Sequence, residues 1–161
     1  MARRAKGEGL GGYIYGTIVV LSVIVAGARA FPEDPGHVAA LVIVTCLTFW
    51  LAHVYSHALG QSITRGDDLS LAELKKVARR EWSLVQAAVP PIVALLLGVL
   101  GIISSHAALW LAFGLGLTVL GVQGLVFARV KHLSPLGTLV VVAANLGLGL
   151  VLVALKLVVI H

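Results

Sequence analysis

Five apolar stretches, each about as long as a bilayer is thick, take up most of this 161-residue chain. A helical crossing needs about 20 mostly apolar residues. Residues 13–30, 38–59, 84–103, 107–130 and 136–160 each come close to that length. Lipid is therefore the solvent in which the rest of the sequence has to be read. Inside it every unpaired polar group is costly, so each polar residue within a stretch calls for a reason.

Composition agrees. Hydrophobic residues make up 59% and charged residues 12%, with a mean hydropathy of +1.02. A soluble domain carries about 25% charged residues. With the five stretches placed, no length is left for a separate soluble domain. Residues 1–161 read as a single all-α membrane domain, a polytopic helix bundle with five transmembrane helices.

The net charge of +5 is patterned. Arg3, Arg4 and Lys6 precede the first stretch. Arg65, Lys75, Lys76, Arg79 and Arg80 lie between the second and third, and Arg129 and Lys131 between the fourth and fifth. These are alternate connections, so all three groups fall on one side of the membrane. The positive-inside rule then places the N-terminus in the cytoplasm and the C-terminus outside, the arrangement of a bacterial inner-membrane protein. The basic groups suit anionic lipid headgroups rather than nucleic acid, for which they are too dispersed. The basic start and Ala26-Gly27-Ala28 resemble a secretory leader, but the apolar run is long for one, so an uncleaved anchor is expected. The single cysteine, Cys46, precludes an intrachain disulfide and reads as a small packed side chain.

Residues 31–36 contain two prolines and read as an external turn. Gly60 to Gly66 reads as a polar break. Ser70-Leu-Ala-Glu73 matches a capping box and predicts a helix over residues 70–82. Leu71, Leu74, Ala78 and Trp82 fall on its apolar face, so it should lie along the cytoplasmic interface and lead into the third stretch. Pro90-Pro91 should kink that stretch. Ser104-Ser105 is a short turn, and Ser134-Pro135 is a helix start that makes the last two helices an antiparallel pair. Small residues line the last three helices: Gly98 and Gly101; Gly114, Gly116, Gly121 and Gly124; then Gly137, Ala143, Ala144, Gly147 and Gly149. They suit close helix packing, within the chain or between copies of it. Lys156 should snorkel to external headgroups, and Tyr13, Tyr15 and Trp110 suit interfacial belts.

The polar residues inside the stretches carry what functional signal there is. His53 and His57 are four apart and share a helical face with Trp50 and Cys46. Thr45, Thr48 and Ser56 occupy the neighbouring face, which argues that this helix is not the most lipid-exposed one at its inner half. Three readings of the histidine pair are open: ordinary interfacial residues, a proton relay or ion path, or ligands for haem or a transition metal. A zincin motif needs glutamate after its first histidine, and Val54 stands there instead. Glu81, Trp82 and Gln86 enter the third stretch at the depth of His57, which makes a Glu81–His57 contact feasible. Gln123 and Asn145 lie at matching depth on the paired last helices. They suit an amide–amide hydrogen bond, or coordination of an ion or polar substrate.

Phe49-Trp-Leu-Ala-His-Val-Tyr55, Glu81-Trp-x-x-Val85 with Pro90-Pro91, and Leu155-Lys-Leu-Val-Val-Ile-His161 resemble a group of small, uncharacterised bacterial five-span integral membrane proteins. The resemblance runs from Tyr15-Gly16 to the end. It implies a membrane domain used whole and implies no mechanism.

A five-span monomer encloses little volume, so any conducting path is expected between subunits. The expectation is a small homo-oligomeric channel or transporter for an inorganic ion or proton, with His53, His57, Glu81, Gln86, Gln123 and Asn145 as candidate path or ligand residues. The alternatives are a haem- or metal-binding membrane protein using His53 and His57, and an accessory subunit with no site. Paired carboxylates and a serine–histidine–acid set are lacking in the stretches, which ranks an enzyme last.

Overall fold

The structure is a computed structural model that describes residues 2–65 and 70–159, with side chains at 11–64, 70–151 and 154. The described residues form six helices and no strand: α1 (Ala2–Ala30), α2 (Pro35–Arg65), α3 (Leu71–Gln86), α4 (Val89–Val99), α5 (Ser105–Val130) and α6 (Pro135–Val159). Three stretches are long and apolar enough to cross a membrane: Gly11–Ala30, Pro35–Thr64 and Ser105–Val130. The bent pair α3–α4 makes a fourth if it counts as one span. In α6 the apolar run assessed is Pro135–Val151, and the side chains that would complete a fifth span, Lys156 among them, lie outside the described set. The side chains of Arg3, Arg4, Lys6 and Arg65 do as well.

Short polar signals set the helix ends. Ser70, Ser104 and Ser134 each accept a hydrogen bond from the backbone N–H three residues on, at 3.2 Å in all three cases. Between α1 and α2, Asp34 accepts from the His37 N–H at 2.9 Å, and its other oxygen meets His37 Nδ1 at 2.7 Å. The His37 ring stacks on Phe31 at 4.8 Å. Asp34 is exposed, yet the His37 backbone N–H, and after it the ring, holds its carboxyl below the ordinary value.

α1 is the central helix, packed against α2 and α3 on one side and α5 and α6 on the other. One core joins Val20 and Ile24 of α1 to Val42 and Cys46 of α2, Leu84 of α3, Leu95 of α4 and Ala112 of α5. A second surrounds Leu21 and Leu120, with Ile14, Ile18 and Leu146 against them. Two glycines permit this closeness. A Cβ on Gly16 would lie 2.5 Å from the Leu84 carbonyl oxygen, and one on Gly116 would lie 2.6 Å from Leu21 Cδ2. By contrast, Gly114 and Gly147 face open space, and Ala143 and Ala144 are exposed, so only part of the small-residue pattern serves packing inside the chain.

Several expectations change. The break placed at Gly60 to Gly66 is helical through Arg65, with Thr64 Oγ1 bonding back to the Gly60 carbonyl at 2.8 Å. One interior glycine costs only about 1 kcal/mol and does not end a helix. Residues 84–103 are not one helix. The chain bends by 51° between α3 and α4, and the break falls at Ala87-Ala88, before the prolines. Pro90 and Pro91 have no N–H to offer the Gln86 and Ala87 carbonyls, so the helix stops where those bonds would begin. α3 also turns one face into the bundle. Val77, Glu81 and Leu84 are buried, whereas Leu71 is 77% exposed and Trp82 43%. Finally, Thr48 and Ser56 of α2 are exposed rather than turned into the bundle. Thr48 bonds the Val44 carbonyl at 2.8 Å and Ser56 bonds the His53 carbonyl at 3.2 Å, so each is satisfied by its own helix and can face outward.

Candidate functional site

The conspicuous polar grouping lies where α1, α2 and α3 meet. α2 supplies Trp50, His53 and His57 on one stripe, and α3 brings Glu81 beneath them. The aromatic part of the stripe anchors the junction. Trp50 Nε1 donates to the Ala78 carbonyl at 3.1 Å, and its ring meets Trp82 edge-on with centroids 5.4 Å apart. Cys46 is buried deeper on the same stripe.

His53 is half-buried. Its Nδ1 lies 2.9 Å from the Phe49 carbonyl oxygen. A carbonyl only accepts, so Nδ1 carries the proton and Nε2 is left with its lone pair. The Tyr15 ring of α1 covers it at 5.2 Å, and the His57 ring stacks beside it at 6.3 Å and 18°. His53 therefore faces the junction of α1 and α2. His57 is more open, with a side chain 45% exposed. Its Nδ1 stands 3.9 Å from Glu81 Oε1, and Arg80 Nε stands at the same distance from that oxygen. Glu81 is the charged residue buried in this region, its side chain only 11% exposed. At 3.9 Å the contacts are ion pairs rather than hydrogen bonds, and a displacement of about 1 Å converts either into the latter. The anticipated Glu81–His57 approach is thus present.

Gln86 is not drawn in. It is the exposed last residue of α3, about 7 Å along the axis from Glu81. Gln123 and Asn145 lie on neighbouring helices: the Asn145 amide nitrogen lies 3.2 Å from where a Cβ on Gly124, the residue after Gln123, would stand. The amide–amide bond expected of them is nevertheless not formed. Both amide atoms of Gln123, 6% exposed, and the amide nitrogen of Asn145 are buried without a hydrogen-bond partner among the described residues. Equal depth puts the two residues at one level, but rotation about each helix axis decides whether their ends meet. Ser83 Oγ is likewise unpartnered, beside Gly12 of α1.

Among the described residues no group of three or more His, Cys, Asp or Glu side chains converges as a metal site would. Haem held by both histidines needs them on opposite faces of the ring, which two residues one turn apart on one helix do not provide. The sequence reading did not single out Tyr15 as a lid on His53. An aromatic next to Gly16 in a close-packed helix was the available signal. Comparison with protein-family models, curated proteins and solved structures finds no match to this chain.

Proposed function

We propose that the chain is a small multi-pass membrane protein that assembles with copies of itself to pass protons or an inorganic cation. In this reading Glu81, His57 and His53 form a proton-exchanging station at the entrance of the path. The observation that carries it is the buried Glu81 carboxylate, 3.9 Å from an imidazole that stacks on a second imidazole. A carboxylate in an apolar bundle is costly and needs a charge partner, and histidine is the side chain whose charge changes near neutral pH. His57, half open, takes up a proton from water. Glu81 accepts it or stabilises it, and the Nε2 lone pair of His53 offers the next stop inward. The path continues between subunits, because a five-span chain of this size encloses little volume.

The accompanying topology is five crossings, with the α3–α4 pair as a bent third span, the N-terminus inside and the C-terminus outside. The exposed Lys75, Lys76 and Arg79 of α3 and Arg129 and Lys131 at the end of α5 support this orientation, facing anionic headgroups at the cytoplasmic side of a bacterial inner membrane. The likeness to small five-span membrane proteins fits the same reading.

The test is proton and cation flux into liposomes containing the purified chain. Wild type should conduct, Glu81→Gln should lose most of the flux, and His53→Ala/His57→Ala should alter its dependence between pH 5 and 8. Flux equal to that of empty liposomes, or variants that match wild type throughout, sinks the reading. A particle containing one chain of 16.8 kDa sinks the assembly.

A further inference from the structure

His53 and His57 stand one turn apart on α2, their ring centroids 6.3 Å apart and their planes 18° from parallel. Two histidines at this spacing on one helix face can share a metal ion through their ring nitrogens. Which nitrogens carry lone pairs decides whether they do. His53 Nδ1 lies 2.9 Å from the Phe49 carbonyl oxygen, so the proton sits on that nitrogen. The two nitrogens of an imidazole point widely apart, so Nε2 and its lone pair face away from Phe49. Phe49 lies one turn before His53, and His57 one turn beyond it. His57 turns Nδ1 to Glu81 Oε1, 3.9 Å away. The carboxylate draws the proton to that side and leaves Nε2 as the lone-pair nitrogen of His57 too.

A carbonyl stands behind one histidine and a carboxylate behind the other. Metal-bound histidines are backed in the same way: the nitrogen that does not bind the ion donates to a backbone carbonyl or a carboxylate, which fixes the tautomer and makes the ligating nitrogen more basic. Glu81 also brings a buried negative charge beneath the pair, offset in part by Arg80 Nε at 3.9 Å from the same oxygen. Cys46 is on this stripe but about 10 Å away along the axis, too far to join. Among the described residues no third His, Cys, Asp or Glu completes a set of three, so the ion would keep water in its other positions. The side chain of His57, 45% exposed, gives water that access. Zinc–nitrogen bonds of about 2.0–2.1 Å require the two Nε2 atoms to come within about 4 Å of each other. The open His57 ring is the one that can swing to meet this, since His53 is tied to Phe49 and flanked by the Tyr15 ring at 5.2 Å. Imidazole suits zinc, copper and nickel, whereas magnesium and calcium take oxygen ligands.

We propose that His53 and His57 bind one divalent transition-metal ion of the zinc, copper or nickel type through both Nε2 atoms, with Glu81 as the carboxylate behind His57. The site needs only the α1–α2–α3 junction and does not rest on the transport reading.

The test titrates the full chain, purified in detergent without a histidine tag, with Zn²⁺ against a chelating dye in excess Mg²⁺. Wild type should bind one ion that Mg²⁺ does not displace. His57→Ala leaves a single imidazole and should raise Kd about a hundredfold. Glu81→Gln should raise it roughly tenfold, the usual effect of losing the partner behind a ligating histidine. His37→Ala/His106→Ala/His132→Ala should bind as wild type does. Absence of a bound ion in wild type overturns the proposal, as does displacement by Mg²⁺. So does an affinity unchanged by His57→Ala or by Glu81→Gln, or loss of the ion in the triple variant. If His57→Ala misfolds, the electron paramagnetic resonance spectrum of the unaltered chain with one equivalent of Cu²⁺ decides: hyperfine structure from two equatorial nitrogens is expected, and one or none refutes the site. Liposome flux is measured separately. A chain that binds zinc without conducting fails only the transport reading, and one that conducts without binding zinc fails only this site.

Discussion

His57 and Glu81 lie near the ends of their helices, at a three-helix junction, and each has a charged or ionisable neighbour. Gln123 and Asn145 lie on α5 and α6, and the buried atoms of their amides have no hydrogen-bond partner among the described residues. The difference follows from what surrounds each site. At the α1–α2–α3 junction a polar atom can be reached from three directions, and water is close. Where α5 meets α6 at Gly124, the neighbours are Val142 and Asn145 itself, and Val142 offers no side-chain donor or acceptor. The first site therefore gives its polar groups ionisable neighbours, and the second holds polar groups at a standing cost.

Disturbing the frame under the first site should have the largest effect. Gly16 lets α1 touch the backbone of α3 just beyond Glu81, and a Cβ there meets the Leu84 carbonyl oxygen, which cannot rotate away. Gly16→Val should destabilise the detergent-solubilised protein by about 3 kcal/mol, at the upper end of overpacking costs. Gly114→Ala, where nothing stands within 4 Å, should change stability by no more than about 0.5 kcal/mol. Thermal melts of the two variants compare them directly. Equal melting points would show that α3 does not depend on contact with α1.

The second site should respond with the opposite sign. Gln123→Leu removes two buried atoms that lack partners and keeps most of the volume, so it should stabilise the protein by about 1–2 kcal/mol. A lower melting point would mean that the amide has a partner in the membrane, such as a second copy of the chain. That result would make Gln123 and Asn145 candidates for the proposed conducting path and erase the contrast drawn between the two sites.

What could be read from the sequence follows the same division. Helix ends were legible because their signals are local: Ser70, Ser104 and Ser134 act within one turn, and Pro90-Pro91 acts on the carbonyls just before it. The His53–His57 face was legible from spacing alone. The rotation of each helix against its neighbours was not. Trp82 belongs to the apolar stripe of α3 by composition, but Glu81 is the residue turned inward, because α3 meets two helices rather than a flat interface. The glycine pattern was read on the last three helices, where half of it faces outward, while Gly12-x-x-x-Gly16 on α1 has the spacing of a close-packing motif and went unused.

A smaller effect tests the aromatic anchor of the first site. Trp50→Phe keeps most of the ring contact with Trp82 and deletes the hydrogen bond to the Ala78 carbonyl. The expected loss is about 1 kcal/mol. If the bond positions α3, the pH profile of flux should change along with the melting point, since Ala78 is one turn from Glu81. A lower melting point with an unaltered profile would confine the bond to stability and leave the histidine–carboxylate station independent of it.

The smallest effect belongs to Asp34, which lies outside both sites and so measures what a partnered carboxylate is worth on the exposed α1–α2 turn. Its carboxyl is held below the ordinary value first by the His37 backbone N–H and then by the His37 ring. A carboxylate whose folded pKa is lowered stabilises the fold above its unfolded value of about 4, and that contribution disappears as pH falls through the lowered value. Asp34→Asn can still accept from the His37 N–H, so the substitution isolates the charge. Wild type should melt slightly above the variant at pH 6, and the gap should narrow at pH 3. A gap of the same size at both pH values would show that the turn depends on the shape of the cap and not on its charge. The lesson would then extend to Glu81, where the charge-removing Glu81→Gln variant would need a second, size-changing control before loss of flux could be assigned to the proton.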